Sequence, residues 1–490
     1  MKRICLLFAL LLVFSAVGSG ASPIRELYQS LPTYVGTQRG ASTQLAWTSC
    51  RMSISDDFLA LTADLNLGLL RFPGGGANYL VYQAAQNRLY DVRDGSTIDL
   101  GEVVRVLTQL DTSVLLTANP WTGTKEEAVS LLTYLIDQGV KVVGVELGNE
   151  AYSTTLWGSD PAAYVSVATQ FAAAIRAVHP TMPLAAVAAP YTATRKTPHN
   201  MVTPVWPPFR AFNRTVGAAG FYDAVVLHTY PGVNSCDSLP TIEDRIQCVN
   251  ESFRNYYDQD FPLLLSLIQS YHGPGTDIWI TEWNMNEGQD YCNTMAHAFH
   301  VTRVLMKLAE LNSNGGPLTG HLRFVTHQKL GVCSNVANGR QSSLIAGKRS
   351  DEMNIDPEND YLRLTPYYPF LFLVGMDGKG FSYNRAVTSI VTYPSTQIDY
   401  WTFMDGEKAY LLILNDTGSD LLIQNVSMAE TDVTNRMMRY QVLSGETLYS
   451  SRGYRLGLTP YDLATYSDLT TGISAIPRYG VGLITIQLPD

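Results

Sequence analysis

The chain repeats one pattern seven times: a short apolar segment that ends in polar, glycine or proline residues. Nearly continuous apolar character is what a parallel strand requires when both of its faces are buried. Between these segments, stretches such as 56–66 and 125–138 carry apolar residues at helical spacing. Strands that alternate with helices predict a (β/α)8 barrel. The seven segments are residues 67–73, 113–119, 142–149, 184–189, 224–230, 278–283 and 322–327.

An eighth strand is needed to close such a barrel, and it is expected between residues 34 and 47. Residues 361–374 are expected to form the last barrel helix. From about Gly378 onward, short strand-like runs are separated by Asn-Asp, Asp-Gly and Ser-Gly turns, which is typical of an antiparallel β-sandwich. The predicted fold class is α/β: a (β/α)8 TIM barrel at residues 22–376 with a C-terminal β-sandwich domain at residues 377–490.

The first 21 residues are expected to be a signal peptide. Lys2 and Arg3 precede an apolar run at residues 4–14, and small residues lead to a predicted cleavage site after Ala21. The run is too short to span a bilayer, so we expect an exported protein, either secreted or in the lumen of the secretory or lysosomal pathway. Four sequons favour a glycoprotein in that compartment, at Asn213, Asn250, Asn415 and Asn425.

Cleavage of the signal peptide would remove Cys5 and leave five cysteines. Disulfides are the default for cysteines of an exported protein, and an odd number leaves one thiol over or paired with another chain. Cys236 and Cys248 bracket a short loop after the sixth strand and are predicted to pair. Cys292 and Cys333 are the next candidate pair, which would leave Cys50 without a partner.

The net charge of −10 argues against nucleic acid as a partner, because binding phosphates requires clustered lysine and arginine. The cysteines form no paired CxxC, and the glycines at 74–76 match neither a P-loop nor a GxGxxG motif. We therefore expect no metal and no cofactor. A carbohydrate is the expected partner, no membrane partner is expected, and the oligomeric state stays open.

In a barrel of this kind, residues at the carboxyl ends of the strands form the active site. Glu150 follows strand four and Glu282 ends strand seven, with aromatic residues nearby. Either glutamate alone could be a solvated loop residue, but both at these positions favour sugar hydrolysis, which needs one carboxyl as acid and one as nucleophile. Strand parity predicts that Ile278, Ile280 and Glu282 face the lumen and that Trp279 packs under the helices.

The motifs Gly148-Asn149-Glu150 and Thr281-Glu282-Trp283-Asn284 resemble the signature of glycoside hydrolase clan A. The segments 71–76 and 228–230 are similar to the clan's strand-two and strand-six motifs. Among clan members, the chain most resembles the α-L-arabinofuranosidase family and the heparanase-like β-glucuronidase family. The resemblance implies a retaining glycosidase built from a barrel and an appended β-sandwich.

The resemblance also implies roles for individual residues. Glu150 would be the acid/base, and Asn149 would hydrogen-bond the sugar's 2-hydroxyl. Glu282 would be the nucleophile, kept ionised by Arg71 and oriented by Tyr230, whereas Glu150 would hold its proton until it is donated. His228, Asn119 and Trp121 would line the sugar subsite. Trp283 and His327 are further candidate substrate-binding residues because of their places at the ends of strands seven and eight, not because of the resemblance.

One departure concerns strand eight, where many clan members place a tryptophan and this chain has His327 and Gln328. A rival carboxylate, Glu146, lies too deep for catalysis and is predicted to be a buried partner of an arginine.

The preferred activity is arabinofuranosidase-like, because the motifs after strands two and seven look more like that family. A glucuronidase would need a basic or amide-rich clamp for the uronic acid, for which Arg195, Lys196 and Lys329 are candidates. The alternative from another class is a secreted sugar-binding protein that kept the barrel and lost catalysis.

Overall fold

The structure is a computed structural model. It describes residues 38–42, 54–153, 155–190, 207–231, 236–285, 291–312, 318, 320–332, 342–347, 361–374, 376, 380–382, 388–393, 398–416, 418–428, 431–432, 436–448, 450, 461–466 and 475–488.

Eight parallel strands close into a barrel, which confirms the predicted fold class. The strand predicted between residues 34 and 47 is present, and it closes the barrel by pairing with both the second and the eighth strand. In chain order the barrel strands are β1 (Gln38–Ser42), β2 (Leu69–Phe72), β6 (Ser113–Thr117), β7 (Val142–Glu146), β8 (Leu184–Val187), β9 (Ala224–Thr229), β10 (Asp277–Trp283) and β11 (Leu322–His327).

Several helices begin at a residue whose side chain caps the first turn. Thr124 and Glu127 form a capping box at the start of one helix, and Asp160 caps another whose first residue is Pro161. The helices are α1 (Asp56–Asp64), α2 (Leu100–Gln109), α3 (Lys125–Asp137), α4 (Pro161–Val178), α5 (Pro207–Gly217), α6 (Ile242–Asn255), α7 (Phe261–His272), α8 (Met295–Asn312) and α9 (Tyr367–Phe372). A π-helical turn (Tyr256–Asp260) joins α6 to α7.

Two small sheets interrupt the barrel repeat. The first consists of β3 (Leu80–Gln83), β4 (Arg88–Asp91) and β5 (Thr97–Asp99), and the second of β12 (Gly331–Val332), β13 (Ile345–Gly347) and β14 (Tyr361–Arg363). The expected helix at 361–374 is therefore wrong in its first part. The pairing of β14 with β13 takes up residues 361–363, and only the short α9 remains helical.

Among the side chains that the structure describes, seven buried apolar ones form a cluster inside the barrel, and the parity predicted for β10 is wrong. Trp279 lies inside the lumen, whereas Ile278 and Ile280 belong to the layer between strands and helices. The register of β10 against β9 shifts between Ile280 and Glu282, and this bulge turns Glu282 back towards the lumen. The lumen residues are Leu69, Leu115, Ala185, Ala224, Val226, Trp279 and Phe324.

The C-terminal part forms two antiparallel sheets, as the turn-rich pattern predicts. One sheet has the order β15 (Gly380–Ser382), β17 (Ile398–Asp405), β18 (Lys408–Asn415), β24 (Gly480–Gln487), β21 (Met437–Gly445) and β22 (Tyr461–Tyr466). The other contains β16 (Thr388–Tyr393), β19 (Leu421–Met428) and β20 (Thr431–Asp432), with β23 (Ala475–Ile476) paired to β19. The exact division between the two domains remains a prediction.

The six-stranded sheet packs against the barrel. Trp401, Phe403 and Leu412 of this sheet belong to the same apolar cluster as the barrel helices. Arg303 of α8 forms ion pairs with Asp399 and Asp416 at this interface. The N-terminal turn of α8 is hydrogen-bonded to the sandwich as well, since the backbone N–H groups of residues 295 and 296 donate to the carbonyls of residues 450 and 448 at 3.1 and 2.9 Å.

The predicted Cys236–Cys248 disulfide is present, with a Cα–Cα distance of 5.6 Å. Cys292 is buried, but Cys333 and Cys50 lie outside the described residues, so the second pair remains a prediction. In the part of the chain that the structure describes, no helix is long and apolar enough to cross a membrane.

Two of the four sequons are built into the fold. Asn213 is buried, and its amide pairs with the backbone of Ala189. Asn415 is also buried, and it donates to three backbone carbonyls of the sandwich. Neither amide is accessible in the folded protein, so glycosylation is not expected at these two positions.

The lumen packing predicts a specific stability defect. A Cβ on Gly144 would lie 2.6 Å from Cη2 of Trp279 on the far side of the lumen. Gly144→Ala should therefore destabilise the protein by about 1–3 kcal/mol in a urea unfolding experiment, because the buried ring has no space to move into. Gly275→Ala is the control, since a Cβ there meets no atom within 4 Å. Adding Trp279→Phe to Gly144→Ala should restore part of the loss, and a loss unchanged by this second substitution would contradict the packing argument.

Candidate active site

Arg71 on β2 is fully buried and binds three side chains at the carboxyl end of the barrel. Its Nε donates to Oε2 of Glu146 at 2.8 Å, its Nη1 to Oε1 of Glu282 at 2.6 Å, and its Nη2 to Oδ1 of Asn149 at 2.8 Å. A buried guanidinium requires paired acceptors of this kind. Burial acts to lower the pKa of Arg71, but the charges of Glu146 and Glu282 raise it above its ordinary value. Arg71 therefore stays charged and fixes three residues around it.

Glu146 has the place that the sequence predicts for it. It is fully buried on β7, pairs with Arg71, and accepts a hydrogen bond from Thr117 at 3.1 Å. The prediction of a buried arginine partner is confirmed. Because Glu146 has no access to solvent, it is not available to a substrate.

Glu282 is held at both carboxylate oxygens. Arg71 donates to Oε1, and the hydroxyl of Tyr230, which follows β9, donates to Oε2 at 2.8 Å. His228 lies on β9 with its Nδ1 3.6 Å from the same Oε2. The side chain of Glu282 is only 7% exposed, so these donors fix its orientation in a largely dry environment.

Glu150 lies beyond the end of β7 in an unusual backbone conformation. Its φ is +45°, in the left-handed region that non-glycine residues rarely adopt, and it follows Gly148 with φ +107°. Its Oε1 accepts a hydrogen bond from the hydroxyl of Tyr152 at 2.9 Å and lies 3.1 Å from Nδ1 of His228. One carboxylate oxygen of Glu150 lies within 4.8 Å of one of Glu282.

The pKa shifts of Glu150 and His228 do not agree with the expectation that Glu150 carries the proton. Burial acts to raise the pKa of Glu150, but the hydrogen bonds and charges of His228, Tyr152 and Arg71 outweigh it and lower this pKa. Burial acts to lower the pKa of His228, but Glu282 and Glu150 raise it above its ordinary value. These directions favour an ionised Glu150 beside a charged His228 in the free protein.

Trp283 and His327 lie beneath the site rather than at its surface. Both are fully buried, and the Trp283 ring stacks on Phe370 at an interplanar angle of 11° with His327 against its edge. This does not agree with the expectation that they contact the sugar. Asn284 is also buried, between His297 on α8 and the carbonyl of Ser342. These residues support the end of β10.

Asn119 and Trp121 lie in the turn after β6. The Asn119 side chain accepts hydrogen bonds from the backbone N–H groups of Trp121 and Thr122, so it shapes this turn. Trp121 is 37% exposed and packs edge to face on Trp157 with ring centroids 4.7 Å apart. Of the two, Trp121 offers an accessible aromatic face to a ligand.

Asn78 is a buried residue of the site that the sequence reading missed. It lies in a short 3-10 helix after Gly74–Gly76 and makes two hydrogen bonds to the backbone of Asn149. The available signal is its position just beyond the strand-two motif at residues 71–76.

Glu150, His228 and Glu282 each offer a ligand atom within 4.8 Å of the others, the only such cluster found among the described residues. A cation there would compete with Arg71 for Glu282, and the positively charged form of His228 is no metal ligand. The electrostatics thus favour proton transfer over metal binding at this cluster.

No protein-family model matches the chain, and no curated protein matches its sequence. Solved structures match its fold. AbfB, a family 51 α-L-arabinofuranosidase from Bifidobacterium longum, has a TM-score of 0.63 and 13% identity, with 96% of this chain and 98% of that chain covered. The α-L-arabinofuranosidase from Thermotoga maritima, a complex with arabinose, has a TM-score of 0.61 and 13% identity, with 94% and 98% covered.

A 4-O-α-L-rhamnosyl-β-D-glucuronidase from Fusarium oxysporum also matches, with a TM-score of 0.54 and 11% identity, and with 96% of this chain and 99% of that chain covered. At these identities the likeness shows the fold. The chain has the barrel and β-sandwich architecture of these glycosidases.

Buried histidines beneath the site predict acid sensitivity. Burial lowers the pKa of His300 on α8 to about 3, so between this value and about 6.5 the unfolded chain binds one more proton there. The free energy of unfolding should therefore fall as the pH drops below about 6.5. His300→Phe removes this contribution and should flatten the fall by up to about 1.4 kcal/mol per pH unit.

Urea unfolding of wild type and His300→Phe at several pH values between 4 and 7 tests this. His179→Phe is the comparison, because the His179 ring is only partly buried and forms a hydrogen bond with Thr133. Parallel pH dependences for wild type and His300→Phe would contradict the assignment.

Proposed function

We propose that this protein is a retaining glycoside hydrolase. The observation that carries the proposal is the approach of Glu150 and Glu282, with carboxylate oxygens within 4.8 Å of each other. Retaining glycosidases have carboxyl groups about 5–5.5 Å apart, whereas inverting enzymes leave about 6.5–9.5 Å for a water between carboxylate and sugar. The short separation supports direct attack by one carboxylate on the anomeric carbon.

Glu282 is the proposed nucleophile. Its two oxygens accept hydrogen bonds from Arg71 and Tyr230, which stabilise the ionised form that attack requires. Attack forms a bond from the carboxylate oxygen to the anomeric carbon while the glycosidic bond breaks. Water then attacks the anomeric carbon from the face that the leaving group occupied, the bond to Glu282 breaks, and the two successive inversions give net retention.

Glu150 is the proposed acid/base, with His228 as the group that holds its proton in the free protein. The 3.1 Å distance from Nδ1 of His228 to Oε1 of Glu150 permits direct transfer. The proton passes through Glu150 to the leaving oxygen, and the resulting carboxylate later takes a proton from the attacking water. Coupling of this kind gives pKa values that belong to the pair rather than to either residue.

For the substrate we favour a neutral furanoside, as in arabinofuranosidases, within a polysaccharide or glycoconjugate. Arg71, the arginine at the described site, is occupied by two carboxylates and is not free to clamp a uronic acid. Lys329 is buried, and the other two candidates for such a clamp, Arg195 and Lys196, lie outside the described residues. The fold likeness to a rhamnosyl-glucuronidase keeps a glucuronide as the second candidate.

A secreted sugar-binding protein without catalysis is the alternative. Such a protein would have no use for two carboxylates within 4.8 Å of each other. Turnover of 4-nitrophenyl glycosides separates the two: we expect release of nitrophenol from the α-L-arabinofuranoside, with the β-D-glucuronide as the comparison. Binding of sugar without any turnover would contradict the enzyme proposal.

The two glutamates should respond differently to substitution. Glu282→Gln should abolish turnover, because no nucleophile remains. Glu150→Ala should slow substrates with poor leaving groups by about 10²–10⁴-fold and spare those with very good leaving groups. Added azide should then trap the glycosyl-enzyme as a glycosyl azide of retained configuration, detectable by NMR.

Glu126→Gln is the matched control, since Glu126 is an exposed residue of α3 that pairs with the neighbouring Lys125. It should leave turnover unchanged. An azide product of inverted configuration, or full activity of Glu282→Gln, would overturn the assignment of roles.

The dependence of kcat/KM on pH should be bell-shaped, with its basic limb set by loss of the proton shared by His228 and Glu150. In His228→Asn the proton can reside only on Glu150, whose carboxyl loses it at lower pH than an imidazolium. The basic limb should therefore move to lower pH, and the acid limb should move less. A basic limb at the same pH in wild type and variant would show that His228 does not hold the proton.

A further inference from the structure

Asn78 hydrogen-bonds the backbone of one residue, Asn149, through both the oxygen and the nitrogen of its side-chain amide. Its Oδ1 accepts from the backbone N–H of Asn149 at 3.1 Å, and its Nδ2 donates to the backbone carbonyl of Asn149 at 2.6 Å. The residue is buried, with only 3% of its surface exposed. The two hydrogen bonds in a dry environment hold the backbone of Asn149 at both of its peptide groups.

The carbonyl that Asn78 holds belongs to the peptide bond between Asn149 and Glu150. Glu150 has φ +45°, and a non-glycine residue in this region costs of order 1–3 kcal/mol that the surroundings must offset. The hydrogen bonds of Asn78 act on the atoms immediately before this torsion. They therefore hold the acid/base in a backbone conformation that it would leave if it were released.

Asn78 is itself anchored from a third loop. Its carbonyl accepts a hydrogen bond from the hydroxyl of Thr122 at 2.8 Å, and that hydroxyl accepts one from the side chain of Asn119, also at 2.8 Å. The loops after β2, β6 and β7 are thus joined through one asparagine. The side chain of Asn149 is held separately by Arg71, so loss of Asn78 leaves the contacts of Glu282 in place.

We propose that Asn78 is a positioning residue that sets the orientation of Glu150 for proton transfer while leaving the nucleophile unaffected. The proposal rests on the glycosidase function proposed above. It makes a selective claim, because a misplaced acid matters most when the leaving group needs a proton.

The test compares substrates of one sugar with a good and a poor leaving group, the 2,4-dinitrophenyl and the 4-methoxyphenyl glycoside. In Asn78→Ala, kcat/KM for the poor substrate should fall at least about tenfold more than for the good one, chiefly through kcat. Asn78→Ser, a milder change, should fall in between and guards against loss of folding. A folded Asn78 variant with an unchanged ratio of the two substrates would overturn the inference.

Asn213→Ala provides a matched control. Asn213 is a buried asparagine that makes the same two hydrogen bonds, at 2.7 and 3.1 Å, to the backbone of Ala189 beyond the end of β8. Its loss should lower stability comparably in thermal unfolding but leave the substrate ratio unchanged. An equal change of ratio in Asn213→Ala would show a general loosening of the barrel mouth and would also overturn the inference. A wild-type protein that cleaves neither substrate nor any other glycoside would instead overturn the proposed function.

Discussion

The ion pairs of the buried Arg71 organise the carboxyl end of the barrel. Burying a guanidinium is very costly unless its donors are paired. Here Arg71 on β2 pairs with Glu146 on β7 and with Glu282 on β10. Glu146 offsets the positive charge of Arg71 from the buried side of the guanidinium, and Nη1 of Arg71 binds Glu282. The result is a site in which Arg71 and His228 lie among the carboxylates of Glu146, Glu150 and Glu282. In the proposed reaction, an excess of carboxylates of this kind would suit the positive charge that develops on a sugar in the transition state.

The barrel and part of the site could be predicted from the sequence because their signals are local. A strand buried on both faces must be apolar along its whole length, so the strand segments were visible, as was the depth of Glu146. The position of Trp279 could not be predicted by alternation, because a bulge before Glu282 breaks the period of two. Gly144 makes room for that ring from the other side of the lumen, a long-range fit that leaves no local pattern.

Side-chain roles were harder to predict than side-chain locations. Trp283 follows Glu282 in the chain, yet a strand turns successive side chains to opposite faces, and Trp283 is buried against Phe370. The protonation of Glu150 depends on His228, which lies 78 residues away and approaches only when the barrel closes. Asn78 acts through a backbone unit of another loop, and such a contact has no signature in composition or spacing.

The hydrogen bonds from the first turn of α8 to the sandwich bear on how this protein could be shortened. Residues 295 and 296 donate to carbonyls of the sandwich, and one helical position later His297 holds Asn284, two residues after Glu282. The β-domain thus supplies acceptors to the helix that supports the end of β10. Cutting the chain after the barrel would leave those N–H donors without their acceptors. It would also expose the apolar side chains of the barrel helices that share a cluster with Trp401. A shortened form that keeps the site must therefore carry the sandwich with it, and a domain exchanged in its place must still offer acceptors to the N–H groups of residues 295 and 296.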